Sequence, residues 1–187
     1  MSPRSYRLGR REGAVKRTRE AILAAARDVL ASSGGSGLSA GAVARMAGVS
    51  RITVYNQFGS KDGLLRQLAA GAQRGRSPAV RPADARDELR HRIVESCLMW
   101  ASDPPLFRGL PAGATAELEM QGDDRALAER LASAGQLRPG CSLKEAEDVI
   151  GALTSFAVFD RMHKDGRRST TAVAEILMRL AAAILAA

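Results

Sequence analysis

Between Gly48 and Leu65 the chain twice sets a helix-stopping glycine just ahead of a helix-starting serine, in Gly48-Val49-Ser50 and again in Gly59-Ser60. Glycine takes the positive φ that ends a helix at little cost, and a serine hydroxyl accepts a hydrogen bond from one of the orphan N–H groups of the next helix. What lies between, Arg51 to Phe58, has room for about two helical turns. Val54 and Phe58 are four apart and share one face of that segment. The pattern therefore constrains the fold to a short helix held between two capped turns and packed by neighbours on its Val54/Phe58 side.

Those neighbours are legible on both sides. From Ala14 to Ser33, Ile22, Ala26, Val29 and Leu30 recur at helical spacing, and the glycine- and serine-rich stretch from Ser32 to Gly37 ends that helix. Ser39 caps a second helix running to about Ala47, with Val43, Ala44 and Ala47 facing the first; Ala44 is small enough for the two to cross closely. Ser60 caps a fourth, Lys61 to about Ala72, with Asp62 at its positive end and Leu64, Leu65 and Leu68 inward. Residues 1–13 show no apolar period and read as a flexible basic arm. Pro78 and Pro82 interrupt residues 75–83, which read as a linker, so that residues 14–74 form one domain and 84–187 another.

In the second domain Leu89, Ile93, Cys97 and Trp100 stripe a helix from Asp84 to about Ala101, ended by Pro104-Pro105. Two or three short helices are expected between Pro104 and Gly140, the clearest from Asp124 to Ser133. Ser142-Leu143-Lys144-Glu145 has capping-box spacing and opens one long helix to about Lys164. Asp165-Gly166 is the turn, and Ser169 or Thr170 starts a last helix that runs almost to the C-terminus. Aromatic residues make up only 4% of the chain, so Ala and Leu carry the packing, and no stretch alternates like a strand. The fold class is all-α.

Charge separates the two halves. The chain's net charge is +8, and residues 1–74 hold 13 Lys or Arg against four acidic residues, a net of +9, which leaves −1 for the remainder. A basic half that also carries two capped helices suits a polyanion whose phosphates supply affinity through counterion release. Arg51 can present its guanidinium fork to guanine. Thr53 offers a methyl to thymine or a hydroxyl to phosphate, and Asn56, within a turn of Thr53, suits an adenine edge or the backbone. Ser39, Ser60 and Lys61 stand at helix N-termini, where N–H groups and the helix dipole favour a phosphate oxygen.

Taken in order, Ser39, Ala44, Gly48-Val49-Ser50, Thr53-Val54-Tyr55, Phe58 and Ser60-Lys61-Asp62 resemble the helix-turn-helix segment of the tetracycline-repressor-like (TetR) family. With the preceding helix, the resemblance covers roughly a third of the chain. It implies an N-terminal three-helix DNA-binding domain followed by a helical ligand-binding and dimerisation domain. It also places Tyr55 at the DNA surface, on a phosphate or a thymine methyl, and brings Ser50 and Gln57 into the contact set. Gln57 departs from the family pattern, in which His or another aromatic or polar residue is frequent.

The last two expected helices carry broad apolar stripes that a chain of this size has difficulty covering alone, which points to a homodimer built from two helices of each subunit. Val149, Ile150, Leu153 and Ala157 supply one stripe; Val173, Ile176, Leu177, Leu180 and Ile184 supply the other. Two recognition helices held a helical turn or a multiple apart would read a palindromic operator in double-stranded DNA. The resemblance further implies a small-molecule pocket in the C-terminal helices. Candidates for its wall are Cys97, Trp100, Leu106, Phe107 and Met120, with Phe156, Phe159, Met162 and His163 from the later helix. Their apolar character suits an uncharged or weakly polar ligand.

Other chemistries find little support. No Gly-rich phosphate loop, no Ser or Cys beside a His and no recognisable carboxylate pair suggests an enzyme, and no cofactor is expected. His91 with Glu95, and Asp160 with His163, share helix faces, but two histidines in ordinary surface surroundings do not make a metal site. Cys97 and Cys141 read as free thiols of a reducing compartment. No apolar run approaches the about 20 residues of a membrane span, so a cytoplasmic protein is expected. The expected role is a transcription regulator, most simply a repressor released from its operator by a ligand. The alternative is a dimer that binds DNA architecturally, without sequence preference or ligand response.

Overall fold

The computed structural model describes residues 3–33, 37–73, 82–110, 115 and 123–186, and every secondary-structure element named here lies within them. Four helices form the N-terminal part: α1 (Pro3–Ser33), α2 (Ala40–Ala47), α3 (Arg51–Phe58) and α4 (Lys61–Gln73). The C-terminal part contains α5 (Ala85–Ser102), α6 (Pro104–Gly109), α7 (Asp124–Ser133), α8 (Leu143–Thr154), α9 (Phe156–Asp160), a π-helical turn (Arg161–Asp165) and α10 (Thr170–Ala181). The only β-type pairing among the described residues is an isolated bridge between Leu137 and Leu185. The all-α reading holds.

Caps read from the sequence set most of the helix starts. The hydroxyls of Ser39, Ser50, Ser60, Ser142 and Ser169 each accept from the backbone N–H three residues on, at 3.0–3.2 Å. Asp84 does the same for α5 with Arg86 and Asp87, and Asp123 for α7 with Ala126. Inside the N-terminal part Ile22, Ala26, Val29 and Leu30 of α1 meet Val43 and Ala44 of α2, Val54 and Phe58 of α3, and Leu64, Leu65 and Leu68 of α4, all buried in one core. α6 packs on both α1 and α4 and so joins the two parts of the chain.

Three expectations are corrected. The stretch 1–13 read as an arm is helical from Pro3 onward, in register with α1. Proline at the start of a helix costs nothing there, because its missing N–H has no partner in any case, and Arg, Leu and Glu are good helix formers. The single long helix expected from Ser142 to Lys164 is broken: Ser155 is extended (φ −73°, ψ 149°) and its hydroxyl caps α9 by accepting from Val158 at 3.4 Å. The carbonyl of Thr154, which a continuous helix would have bonded to Val158, accepts instead from the buried Trp100 indole at 2.8 Å. The last helix stops at Ala181, and Ile184 lies beyond it in a tail pinned by Arg138 N–H to the Ile184 carbonyl (2.9 Å) and Ala186 N–H to the Gln136 carbonyl (2.8 Å). Of the stretch expected as a linker, only Pro82 and Ala83 are described; both carbonyls accept from the Arg130 guanidinium, at 3.1 and 2.9 Å. Arg130 also pairs with the buried Glu88 of α5.

Candidate nucleic-acid interface

The two glycines that delimit α3 are both left-handed in φ, Gly48 at 66° and Gly59 at 72°. Gly48 N–H returns to the Arg45 carbonyl and Val49 N–H to the Ala44 carbonyl, closing α2; Gly59 N–H returns to the Tyr55 carbonyl at 2.7 Å, closing α3. Val54 and Phe58 are thereby aimed into the core, and the opposite side of the helix faces outward with Arg51, Ile52, Tyr55 and Asn56 exposed.

The candidate contact residues fall into two groups. Arg51, Tyr55 and Asn56 sit on the outward face of α3, while Ser39, Tyr55, Ser60 and Lys61 gather round one small apolar depression floored by Leu38, Val54 and Leu64. Two helix ends thus converge, the N-termini of α2 and α4, beside the middle of α3. Those two N-termini present backbone N–H groups, and Lys61 adds a full charge. Thr53 is half-buried, and its hydroxyl lies 2.9 Å from that of Ser50, so its oxygen takes part in the cap and its methyl is what remains to offer. Gln57 is half-buried on the flank of α3 rather than on the outward face.

Four features escaped the reading of the sequence. Ile52 is 71% exposed, the most open large apolar side chain among the described residues, and it stands on the outward face of α3. An isoleucine within a helical stretch reads as core, which hid it. Gly41 of α2 makes room for the Arg51 side chain: a Cβ there would stand 3.3 Å from Arg51 Nε. Gly63 in the first turn of α4 faces the Phe58 carbonyl oxygen so closely that any Cβ would collide with it. A glycine one turn into a helix was the available signal, since glycine is a poor helix former unless a close approach demands it. Finally, Arg19 of α1 reaches the end of α3 and donates from Nη1 to the Gln57 carbonyl at 2.9 Å.

The C-terminal candidates are distributed differently. Trp100, Phe107 and Phe156 pack on one another with ring centres 4.8–5.7 Å apart, and Leu106 and Cys97 are buried with them in the core. Burial pushes the Cys97 thiol up to about 11, so it stays protonated and unreactive. Phe159 is stacked on His163 at 5.0 Å, His163 Nδ1 lies 2.8 Å from the Arg168 carbonyl, and Met162 is half-buried in the same turn. Asp160 is gripped by the Arg108 guanidinium of α6 through Nε and Nη2. Met120 lies outside the described residues.

Of the residues expected at a dimer interface, Ile150, Leu153, Val173, Leu177 and Ile184 are already buried within the single chain. They are protomer core: α10 lays its stripe on α5 and α8 instead of leaving it open. Ala157 and Leu180 remain exposed, and Val149 and Ile176 half-buried. Among the described residues no helix is long and apolar enough to cross a membrane.

The arrangement is an N-terminal helix-turn-helix with its second helix turned outward, joined to a larger helical region. Residues 22–68 match the model of the bacterial regulatory proteins of the tetR family. A segment of 51 residues is 45% identical to the HTH-type transcriptional regulator AlkX of Mycobacterium tuberculosis; the match spans 27% of this chain and 24% of that protein. The fold is similar to that of FadR from Bacillus subtilis in complex with stearoyl-CoA (TM-score 0.66, 19% identity, 87% of this chain and 96% of that one). It is similar also to SmeT, the repressor of the Stenotrophomonas maltophilia multidrug efflux pump SmeDEF (TM-score 0.66, 19% identity, 90% of each chain). A TetR family transcription regulator from Marinobacter aquaeolei VT8 has a TM-score of 0.64 at 20% identity, over 95% of this chain and 100% of that one.

Proposed function

We propose that the chain is a sequence-specific transcription regulator that binds a palindromic operator as a homodimer, acts as a repressor and is released by a small, mostly apolar ligand. The observation that carries the reading is the outward face of α3. Arg51, Ile52, Tyr55 and Asn56 project from a two-turn helix whose other side is locked into the core, with Ser39, Ser60 and Lys61 beside it at helix N-termini. In this reading α3 lies in the major groove. Arg51 takes guanine O6 and N7, Asn56 an adenine edge or the backbone, and Ile52 and the Thr53 methyl meet thymine methyls, while Lys61 and the α2 and α4 N-termini grip phosphates.

The domain division at residues 75–83 and the C-terminal dimer belong to the same proposal. The dimer face narrows to Val149, Ala157, Ile176 and Leu180, the members of the two stripes that the chain itself leaves open. A ligand lodged among Trp100, Phe107 and Phe156 would have to part their rings; FadR, with stearoyl-CoA, is an example of this fold in complex with a molecule that carries a long acyl chain. Ligand binding acts on the DNA only through a difference in affinity between two states of the protein.

The test is selection of bound fragments from a random DNA pool at near-physiological salt, alongside an Arg51→Ala, Tyr55→Ala double variant. Recovery of a palindrome by the wild type alone supports the proposal. Sequence-blind recovery by both proteins rejects it in favour of an architectural binder.

A further inference from the structure

The Arg19 guanidinium crosses from α1 to the far end of α3, where Nη1 donates to the Gln57 carbonyl at 2.9 Å and Cζ stands 4.6 Å from the centre of the Phe58 ring. We propose that Arg19 is a positioning residue for DNA reading, which clamps the C-terminal end of α3 to α1 and so sets the angle at which Arg51, Ile52 and Tyr55 meet the base edges. The inference rests on the proposed function above and adds a determinant of specificity that touches no DNA.

Helix α3 has only eight residues. A helix that short does not hold itself together in water, and its direction is decided by what it packs on. Its inward anchors, Val54 and Phe58, restrain it from one side only. The end is fixed by satisfying carbonyls that have no partner within the helix. The Tyr55 carbonyl takes Gly59 N–H, the Phe58 carbonyl takes Ser60 N–H at 2.8 Å, and the Gln57 carbonyl takes Arg19. A cation at a helix C-terminus also meets the negative end of the dipole, and a guanidinium over a ring gains a cation–π contribution. Arg19 thus spends its charge on the protein rather than on a phosphate.

Base contacts and phosphate contacts respond differently to a tilt of α3. Paired hydrogen bonds to a base edge need fixed geometry, whereas Lys61 reaches a phosphate on a long flexible stem from a different helix. Loosening the Arg19 clamp should therefore erode sequence preference and leave bulk affinity for DNA nearly intact.

The experiment compares full-length wild type, Arg19→Gln and Arg19→Lys on the selected operator and on a scrambled duplex over a range of salt, and follows amide hydrogen exchange of residues 55–60 in the free proteins. Arg19→Gln is expected to weaken operator binding on the order of tenfold and scrambled binding less than twofold, with the salt slope unchanged. Exchange should quicken at Gly59 and Ser60 while the α2 amides keep their protection. Arg19→Lys, which keeps a donor and a cation, should recover most of both effects. Equal losses on both duplexes with a slope shallower by about one unit would make Arg19 a phosphate contact and overturn the proposal. Unchanged protection at Gly59 and Ser60 overturns it as well. If the wild type itself shows no preferred site, the DNA-reading proposal falls, and the exchange measurement alone still decides whether Arg19 holds α3.

Discussion

The N-terminal helices and the C-terminal helices treat their apolar stripes in opposite ways. In α3 the buried stripe is minimal, Val54 and Phe58, and Arg51, Ile52, Tyr55 and Asn56 are turned outward, an isoleucine among them. In α8 and α10 the stripes are broad, and the chain covers most of them itself, so that Leu153, Val173 and Leu177 meet α5 and its neighbours. Apolar surface left exposed on a small, otherwise satisfied helix points to an external partner; a long apolar stripe by itself does not, because the chain can fold back on it.

The contrast can be broken most forcefully in the C-terminal part. Trp100→Ala removes the centre of the aromatic cluster and the donor to Thr154, and is expected to cost about 3–5 kcal/mol of stability in denaturant titration. Leu177→Ala and Leu180→Ala come next as a pair. The first, fully buried, should cost about 2–5 kcal/mol, the second less than about 0.5 kcal/mol. Leu180→Asp should leave the fold intact and weaken self-association in sedimentation; unchanged association would remove α10 from the dimer face.

Smaller effects test the N-terminal surface. Arg51→Ala should cost about 1–3 kcal/mol at one base position and relax preference there, read by selection on randomised operators. Replacing thymine by uracil one site at a time removes single methyl groups. One such change should cost the wild type about 0.8 kcal/mol and cost Ile52→Ala nothing. Lys61→Ala should weaken binding to all sequences alike and make the salt slope shallower by about 0.9 units.

What was legible in the sequence was local. Ser39, Ser50, Ser60, Ser142 and Ser169 cap helices through hydrogen bonds three residues long, and Gly48 and Gly59 adopt the φ that their type permits, so both ends of α3 could be read from the residues beside them. What was not legible depends on residues far along the chain. The Arg19 clamp joins positions 38 residues apart, and the partner of the Thr154 carbonyl lies 54 residues away. Ser155 sits in a stretch whose helical period continues on both sides, and the Trp100 indole that takes the freed Thr154 carbonyl comes from far along the chain. Val149, Ile150 and Leu153 lie on α8 and Val173, Ile176, Leu177 and Leu180 on α10, while Ala157 falls on α9 and Ile184 beyond α10. Periodicity says which residues share a face, but not whether that face looks toward its own chain or a second copy.

The chain has one tryptophan, and its placement makes it an internal optical reporter. Trp100 is buried, its indole N–H is spoken for by the Thr154 carbonyl, and Phe107 and Phe156 flank its ring. All indole emission therefore originates at the junction of α5, α6 and the α8–α9 break, and from a dry environment, so it should lie toward the blue. A molecule that parts the rings would shift or quench that signal directly. A library of compounds can then be screened by intrinsic fluorescence before any operator is known.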